Sequence, residues 1–251
     1  MILDEILRRT ARRVARLPAS FPEAGREKRP SLATAIRNNN GANAIIAEIK
    51  CASPSRGVIR RNVDIAVTAV SLGEGGCVAL SVLTEPYFFG GTCQDLSRVR
   101  SAVSIPVLRK DFIIDERQIA ESRALGADAV LLIAAILKNR LPGFVDCAFD
   151  FGLEPLVEVH SGEETEQALS TEAPLIGINN RDLTTLGVDR SATRALSEPI
   201  RRAGRIIVSE SGMWNADDIR EMKRYCDAFL IGSAIMAHKY PRKKLEEFVC
   251  A

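Results

Sequence analysis

Residues 44–50 read AIIAEIK. A run of small and branched apolar residues is what a strand buried on both faces of a parallel sheet requires. This run ends in Glu48 and Lys50, two apart and therefore on one face of a strand. The same form returns in IPVLRK, residues 105–110, closed by Lys110, and in LEPLVEV, residues 153–159, closed near its end by Glu158. Charges at strand ends are costly unless they face a wet pocket or one another. Two acids and two bases converging at one end of a sheet would make a site for acid–base chemistry on an anionic substrate.

Working outward, strand-like runs centre near Ile46, Ala79, Val107, Leu131, Val157, Ile176, Ile207 and Leu230. Helix-like segments follow them, among them VDIAVTAVSLGE, DERQIAESRALGA and NADDIREMKRYC. Gly73, Gly126 and Gly152 fall where helices should stop. Eight alternating units predict closure into a (β/α)8 TIM barrel, an α/β fold. The run AVLLIAAIL, residues 129–137, is too short to cross a membrane and reads as a buried strand entering a helix. Ahead of the barrel, MILDEILRRTARRVARL carries apolar residues at helical spacing and predicts an amphipathic packing helix. Its Asp4 and Glu5 argue against a transit peptide. The polar stretch that follows contains LATAIRN, a candidate second short helix. We expect one domain over residues 1–251, with an N-terminal helical extension (1–43) and a barrel (44–251).

Composition excludes several classes. A net charge of +2 gives no global field for nucleic acid, and no apolar run is long enough to be a membrane span. The six cysteines form no CxxC pair, and with only two histidines a zinc cluster is not expected. Reduced thiols and a cytoplasmic location are the simplest expectation.

Each constellation has a bland alternative beside its chemical one. Lys50, with Glu48 on its face, could be a fixed cation for an anion, or half of a structural ion pair at the rim. CASPSRG, residues 51–57, is a loop whose hydroxyls and N–H groups could hold phosphate or carboxylate, or a plain surface loop. Lys110 is a candidate general acid, with burial expected to bring its pKa toward neutrality; the alternative is a solvated strand-end lysine. Glu158 could be a base or proton shuttle opposite Lys110. His160 has no nucleophile arranged with it and reads as a loop residue or a support behind the site. Asn179, Asn180 and Arg181 follow PLIGI, and one of the three is expected to be only structural. SESG, residues 209–212, and IGSA, residues 231–234, put Gly and Ser after the last two strands, where barrels commonly bind phosphate.

The segments AEIKCASPSRG, LSVLTEPYFFGG, PVLRKDFIID, GADAVLLIAAIL, LVEVHS, IGINNRDL, VSESGM and LIGSAIM, in this order, closely resemble the indole-3-glycerol phosphate synthase family. The resemblance spans about residues 44–236 and departs from the family at Pro86 and in a short stretch before the first strand. It implies a TIM barrel with an N-terminal helical segment over its mouth. It also implies the ring-closing step of tryptophan biosynthesis, on a small phosphorylated substrate, with no metal or organic cofactor. Carried over by motif, Lys110 would be the general acid and Lys50 the cation for the substrate carboxylate, with a part in dehydration. Glu158 would be the base, Glu48 would orient the lysines, and Asn179 would hydrogen-bond near the reacting groups. Phe89 would line an aromatic pocket. Ser53, Ser211, Gly212, Ile231, Gly232 and Ser233 would surround the phosphate and its neighbours, with Glu210 and Arg181 completing the site. A monomer or weak homodimer, with contacts to other enzymes of the pathway, is compatible with this resemblance. Two other readings stand beside it. A phosphoribosylanthranilate isomerase-like enzyme would need an acid where strand six ends in Asn179. A silent scaffold barrel would be expected to have lost one of the four charges, and all are present.

Overall fold

The computed structural model describes residues 2–21, 29–39, 41–182 and 184–251. The eight expected strands form at β1 (Ala44–Ile49), β2 (Ala79–Leu83), β3 (Val107–Lys110), β4 (Ala129–Ile133), β5 (Glu154–Val159), β6 (Leu175–Asn179), β7 (Ile206–Glu210) and β8 (Ala228–Ile231). All neighbours pair in parallel, and β1 pairs with both β2 and β8, so the sheet closes into a barrel. A small antiparallel hairpin, 52–53 with 57–58, rises from the end of β1.

The helices are α1 (Ile2–Val14), α2 (Leu32–Arg37), α3 (Ile65–Glu74), α4 (Cys93–Ala102), α5 (Glu116–Ala124), α6 (Ala134–Leu137), α7 (Leu141–Asp150), α8 (Gly162–Leu169), α9 (Ser191–Arg202), α10 (Ala216–Met222), α11 (Ser233–Ala237) and α12 (Pro241–Val249). Local chemistry sets many of their starts: Asp64, Thr92, Asp115, Ser161 and Asn215 accept backbone N–H bonds at the N-caps. Gly126 and Gly152 follow helix ends with left-handed backbone, as expected. Gly73, expected to stop a helix, instead lies inside α3, and Gly75 caps it. The apolar pattern around Gly73 lets the helix run on briefly before Gly76 turns the chain with φ of 89°. Of the polar stretch before β1, residues 22–28 and 40 lie outside the described residues.

Strand alternation divides the buried apolar residues between two cores. Ile45, Ala47, Leu80, Val82, Val130, Leu132, Val157, Ile176, Ile207 and Phe229 face the helices. Ile46, Ala79, Leu108, Leu131, Leu156, Leu175, Val208 and Leu230 fill the barrel. α2 packs Leu32 and Ile36 onto this inner core. It is held at the N-terminal end of β5, where Glu154 accepts from Ser31 Oγ (2.5 Å) and the Ala33 N–H (2.9 Å).

One charged residue stands among the outward shell positions. Arg109 alternates outward next to Lys110 and is fully buried. Its guanidinium donates to Thr84 Oγ1 (3.1 Å), Gln118 O (3.1 Å), Asp111 (3.1 Å) and Glu121 (2.8 Å). Asp111 in turn receives Arg13 of α1 at 2.7 Å. Burial alone would raise the Asp111 carboxyl, but Arg109 and Arg13 hold it below the ordinary range. This network ties α1 to the end of β3. Removing one member of a buried ion pair strands the other, at about 3–5 kcal/mol. Arg109→Ala is therefore expected to cost about 3–5 kcal/mol in urea denaturation; a loss below about 1 kcal/mol would show that water or a rearranged Arg13 satisfies Asp111.

Candidate active site

The inner core positions continue toward the C-terminal end of the barrel, where side chains change from apolar to charged. Following Ile46 inward comes Glu48; after Leu108, Lys110; after Leu156, Glu158; after Val208, Glu210. Asn179 ends β6 in the same way. The cavity above them, about 130 Å³, opens to solvent and is floored by Leu131 and Leu230. It is lined by every expected site residue: Glu48, Lys50, Ser53, Phe89, Lys110, Glu158, Asn179, Arg181, Glu210, Ser211, Gly212, Ile231, Gly232 and Ser233. Asn180 does not line it. Its amide instead donates to Ser209 Oγ, Glu210 O and Ser211 O and accepts from Thr193, so it is the structural member of its trio.

Lys110 Nζ sits 2.7 Å from Glu210 Oε2 and 3.1 Å from Glu158 Oε2. Burial alone would lower its pKa, the shift expected from sequence. Glu210, Glu158 and Glu48 outweigh burial, so the ammonium is held above its ordinary value. That corrects the expectation of a lysine near neutrality: the carboxylates that surround it lie on other strands, and their charge exceeds the desolvation cost. Lys50 pairs separately with Glu48 Oε1 at 2.5 Å.

The two carboxylates on Lys110 are unequal. Burial would raise Glu158, but Lys110, His160 and the Asn179 amide (3.2 Å) hold it below its ordinary value. Glu210 has Lys110 alone. Burial pushes it up, and the charges of Glu158 and Glu48 add to this against Lys110, to about 7. Its Oε1 is buried without a hydrogen-bond partner among the described residues. The site thus keeps one carboxylate firmly ionised and one that takes a proton near neutral pH, the separation that acid–base catalysis uses.

Two glycines, Gly177 in β6 and Gly232 just after β8, make room for these acids. A Cβ on Gly177 would meet Glu210 Oε1 at 2.2 Å, and one on Gly232 would meet Glu48 Oε1 at 2.3 Å. Above β7, Ser211 and Gly212 have left-handed backbone, φ 65° and 90°. Turns of this kind present successive N–H groups as a concavity suited to an anion. Arg181 is half-buried, donates to Leu186 O at 2.7 Å, and has no ion-paired carboxylate among the described residues. Burial and the neighbouring Arg56 lower its pKa, which marks an unmet positive charge. Among the described residues no group of three or more His, Cys, Asp or Glu side chains is disposed to hold a metal ion.

Several lining residues were not singled out from sequence. Ile2, Leu3 and Ile6 of α1 form part of the wall, so the amphipathic helix packs over the mouth. Phe112 lies 6.0 Å, centroid to centroid, from Phe89 and extends the aromatic side. Trp214 carries the Arg56 guanidinium 3.9 Å above its ring and links the loops after β1 and β7. Glu85 shapes the loop bearing Phe89: its carboxylate accepts the N–H groups of Tyr87, Phe88 and Phe89 at 3.1, 2.7 and 3.1 Å. The phase of α1 was readable from its apolar spacing, whereas its place over the mouth was implied only by the family resemblance.

A closed parallel barrel with a lysine–carboxylate cluster at its C-terminal mouth defines a (β/α)8-barrel enzyme with an acid–base site. Residues 3–248 match the family model described as indole-3-glycerol phosphate synthase. Proteins of that name from Caldanaerobacter subterraneus subsp. tengcongensis and Bordetella pertussis are 47% and 46% identical over 212 and 213 residues. Each alignment covers 84% of this chain and 82% or 81% of the relative. Solved structures share the fold at lower identity. Thiamine phosphate pyrophosphorylase from Pyrococcus furiosus has TM-score 0.61 and 19% identity over 84% of this chain and 95% of its own. KGPDC from Streptococcus mutans has TM-score 0.63 and 15% identity over 82% of this chain and 95% of its own. The chain belongs to the indole-3-glycerol phosphate synthase family. Membership carries that family's activity, a decarboxylating lyase reaction in tryptophan biosynthesis. A small phosphorylated substrate is consistent with it, and no helix among the described residues is long and apolar enough to cross a membrane.

The inequality of Glu158 and Glu210 has a measurable consequence. A carboxyl whose pKa is raised on folding binds its proton more tightly in the folded state, so stability falls as pH rises from the unfolded value toward neutrality. Glu210→Gln removes that loss. The variant should match wild type at pH 5 and exceed it by about 1–3 kcal/mol at pH 8.5 in thermal or urea melts. A gap that fails to widen with pH would mean that Glu210 is ionised throughout.

Proposed function

We propose that this chain closes the indole ring of 1-(2-carboxyphenylamino)-1-deoxyribulose 5-phosphate, giving indole-3-glycerol phosphate, carbon dioxide and water, with Lys110 as the general acid. The single observation that carries this reading is Lys110 itself: a buried ammonium kept charged by three carboxylates at the floor of a cavity with an aromatic side and an anion-suited rim. The roles follow from what each group can do. The Lys110 ammonium gives its proton to the ketone oxygen of the sugar chain as the carboxyl-bearing ring carbon attacks, and the new carbon–carbon bond forms. Loss of carbon dioxide returns the electron pair to the ring. Departure of the hydroxyl as water then needs an acid and a base. Lys50 fits the acid, and Glu158 fits the base: it is ionised beside Lys110, and its proton affinity rises once Lys110 has given up its charge. Ring closure, decarboxylation and dehydration together involve no net oxidation or reduction, so the route requires no electron carrier.

Arg181 and Lys50 suit the substrate carboxylate, since Arg181 lacks an acid partner among the described residues and Lys50 shares only Glu48. Phe89 and Phe112 suit the aromatic ring. Ser53, with a buried hydroxyl that has no partner among the described residues, and the turns at Ser211–Gly212 and Gly232–Ser233 suit the phosphate. Glu48 would hold Lys50 in place, and Asn179 would orient Glu158. The whole chain is taken as one catalytic domain acting in the cytoplasm, as a monomer or weak homodimer.

The test is indole fluorescence on mixing metal-free protein with the substrate. Lys110→Ala should lower turnover by about 10²–10⁴-fold or more while substrate binding persists. Turnover near wild type in that variant would remove Lys110 from the role of essential acid.

A further inference from the structure

His160 lies one residue beyond β5, two after Glu158, and its side chain is only 15% exposed. Its orientation is fixed from behind. The backbone N–H donates to Glu164 Oε2 at 2.7 Å, and ring Nδ1 lies 3.2 Å from the same oxygen. Glu164 belongs to the first turn of α8, where its own N–H bonds to the Ser161 cap at 3.2 Å. With Nδ1 committed to Glu164, the opposite nitrogen is aimed at the site. Nε2 is 3.4 Å from Glu158 Oε1 and buried, with no other partner among the described residues. Glu158 is therefore approached on Oε2 by Lys110 and on Oε1 by Asn179 and His160.

Two of those three groups can carry positive charge, and the proposed mechanism discharges one of them. Once the Lys110 ammonium has given its proton to the substrate, Glu158 and Glu210 face a neutral amine. Asn179 can orient a carboxylate but cannot balance it. We propose that His160, fixed by Glu164, is a positioning residue whose imidazolium steers Glu158 Oε1 and supplies the cation that remains on this carboxylate after Lys110 has discharged. This inference rests on the reading of Lys110 as acid and Glu158 as base.

The charged groups facing His160 are Glu158 from β5, Glu164 from α8, Glu210 from β7 and Asp182 from the loop after β6. Burial would lower the imidazole pKa, but Glu164, Glu158 and Glu210 outweigh it and raise it above the ordinary value. Lys110 faces the other oxygen of Glu158; with the acids prevailing, the ring holds its proton to a higher pH than a free imidazole does. Glu210 itself titrates near neutrality, but it is present in every variant below and so does not separate them.

The experiment is kcat and KM across pH 5.5–9.5 for wild type, His160→Gln and Glu164→Gln, using the carboxyphenylamino-deoxyribulose phosphate as substrate. Gln keeps a neutral donor near the Nε2 position but cannot be charged. His160→Gln should lower kcat at pH 7 by about tenfold or more with KM within about twofold, and should lose the alkaline fall that His160 imposes on the wild type. Glu164→Gln keeps the imidazole and should move that alkaline fall to lower pH by about one unit. Equal kcat in wild type and His160→Gln overturns the proposal. So does a reduced kcat in His160→Gln with the wild-type pH profile retained, because that is what loss of packing alone would give. A wild type that binds substrate but forms no indole product at any pH would instead overturn the reading of the reaction itself.

Discussion

One buried ammonium among three carboxylates organises the upper half of this barrel. Lys110 projects from β3 into a space that Glu48, Glu158 and Glu210 enter from β1, β5 and β7. Glu158 and Glu210 depend on that cation for charge compensation inside the barrel, and the cation could not remain charged at such depth without its acids. The cluster is asymmetric because its members have different secondary partners. Lys50 attends Glu48, Asn179 and His160 attend Glu158, and the Glu210 carboxylate has Lys110 alone among the described residues. The difference in acidity between Glu158 and Glu210, both fully buried, follows from this unequal attendance.

The same strand periodicity builds the core and the site. Positions that alternate inward are mostly apolar in the lower layers, among them Ile46, Leu108, Leu156 and Val208, and several become Glu, Lys and Asn in the last. The outward positions carry no charge, with Arg109 the exception. That exception links the chemistry to the cover. Arg109 holds Asp111, Asp111 holds Arg13, and Arg13 belongs to the helix whose Ile2, Leu3 and Ile6 wall the cavity. The helix over the mouth is thus anchored at the residue next to Lys110, and Glu85 fixes the aromatic side of the same mouth through three backbone N–H groups.

Much of this was legible in the chain. Each of the eight strand centres falls inside an observed strand, because strands buried on both faces leave uninterrupted apolar runs bounded by helix signals. The charged strand ends were legible for the complementary reason: a charge closing such a run must be explained. What the chain did not disclose depends on distances across strands. Burial alone points the Lys110 shift in the wrong direction, since Glu210, 100 residues away in sequence, decides it. The Arg13–Asp111–Arg109 network joins three elements through side chains that look like ordinary surface charges. Asn180 and Asn179 are adjacent and chemically identical, yet strand alternation sends one into the structural network and the other into the cavity.

Gly177 and Gly232 bear on how such a site can change over time. Neither carries a functional group, and each offers the cluster only the volume of a missing methyl. A Cβ there would arrive at 2.2 or 2.3 Å from a carboxylate oxygen, so even alanine would force Glu210 or Glu48 to move. Residues that donate protons can at times be exchanged for others with similar chemistry. An empty volume has no substitute. Mutational drift in this barrel is therefore constrained at two positions that react with nothing, and a redesign that moves the charged residues elsewhere would first have to move the glycines that face them.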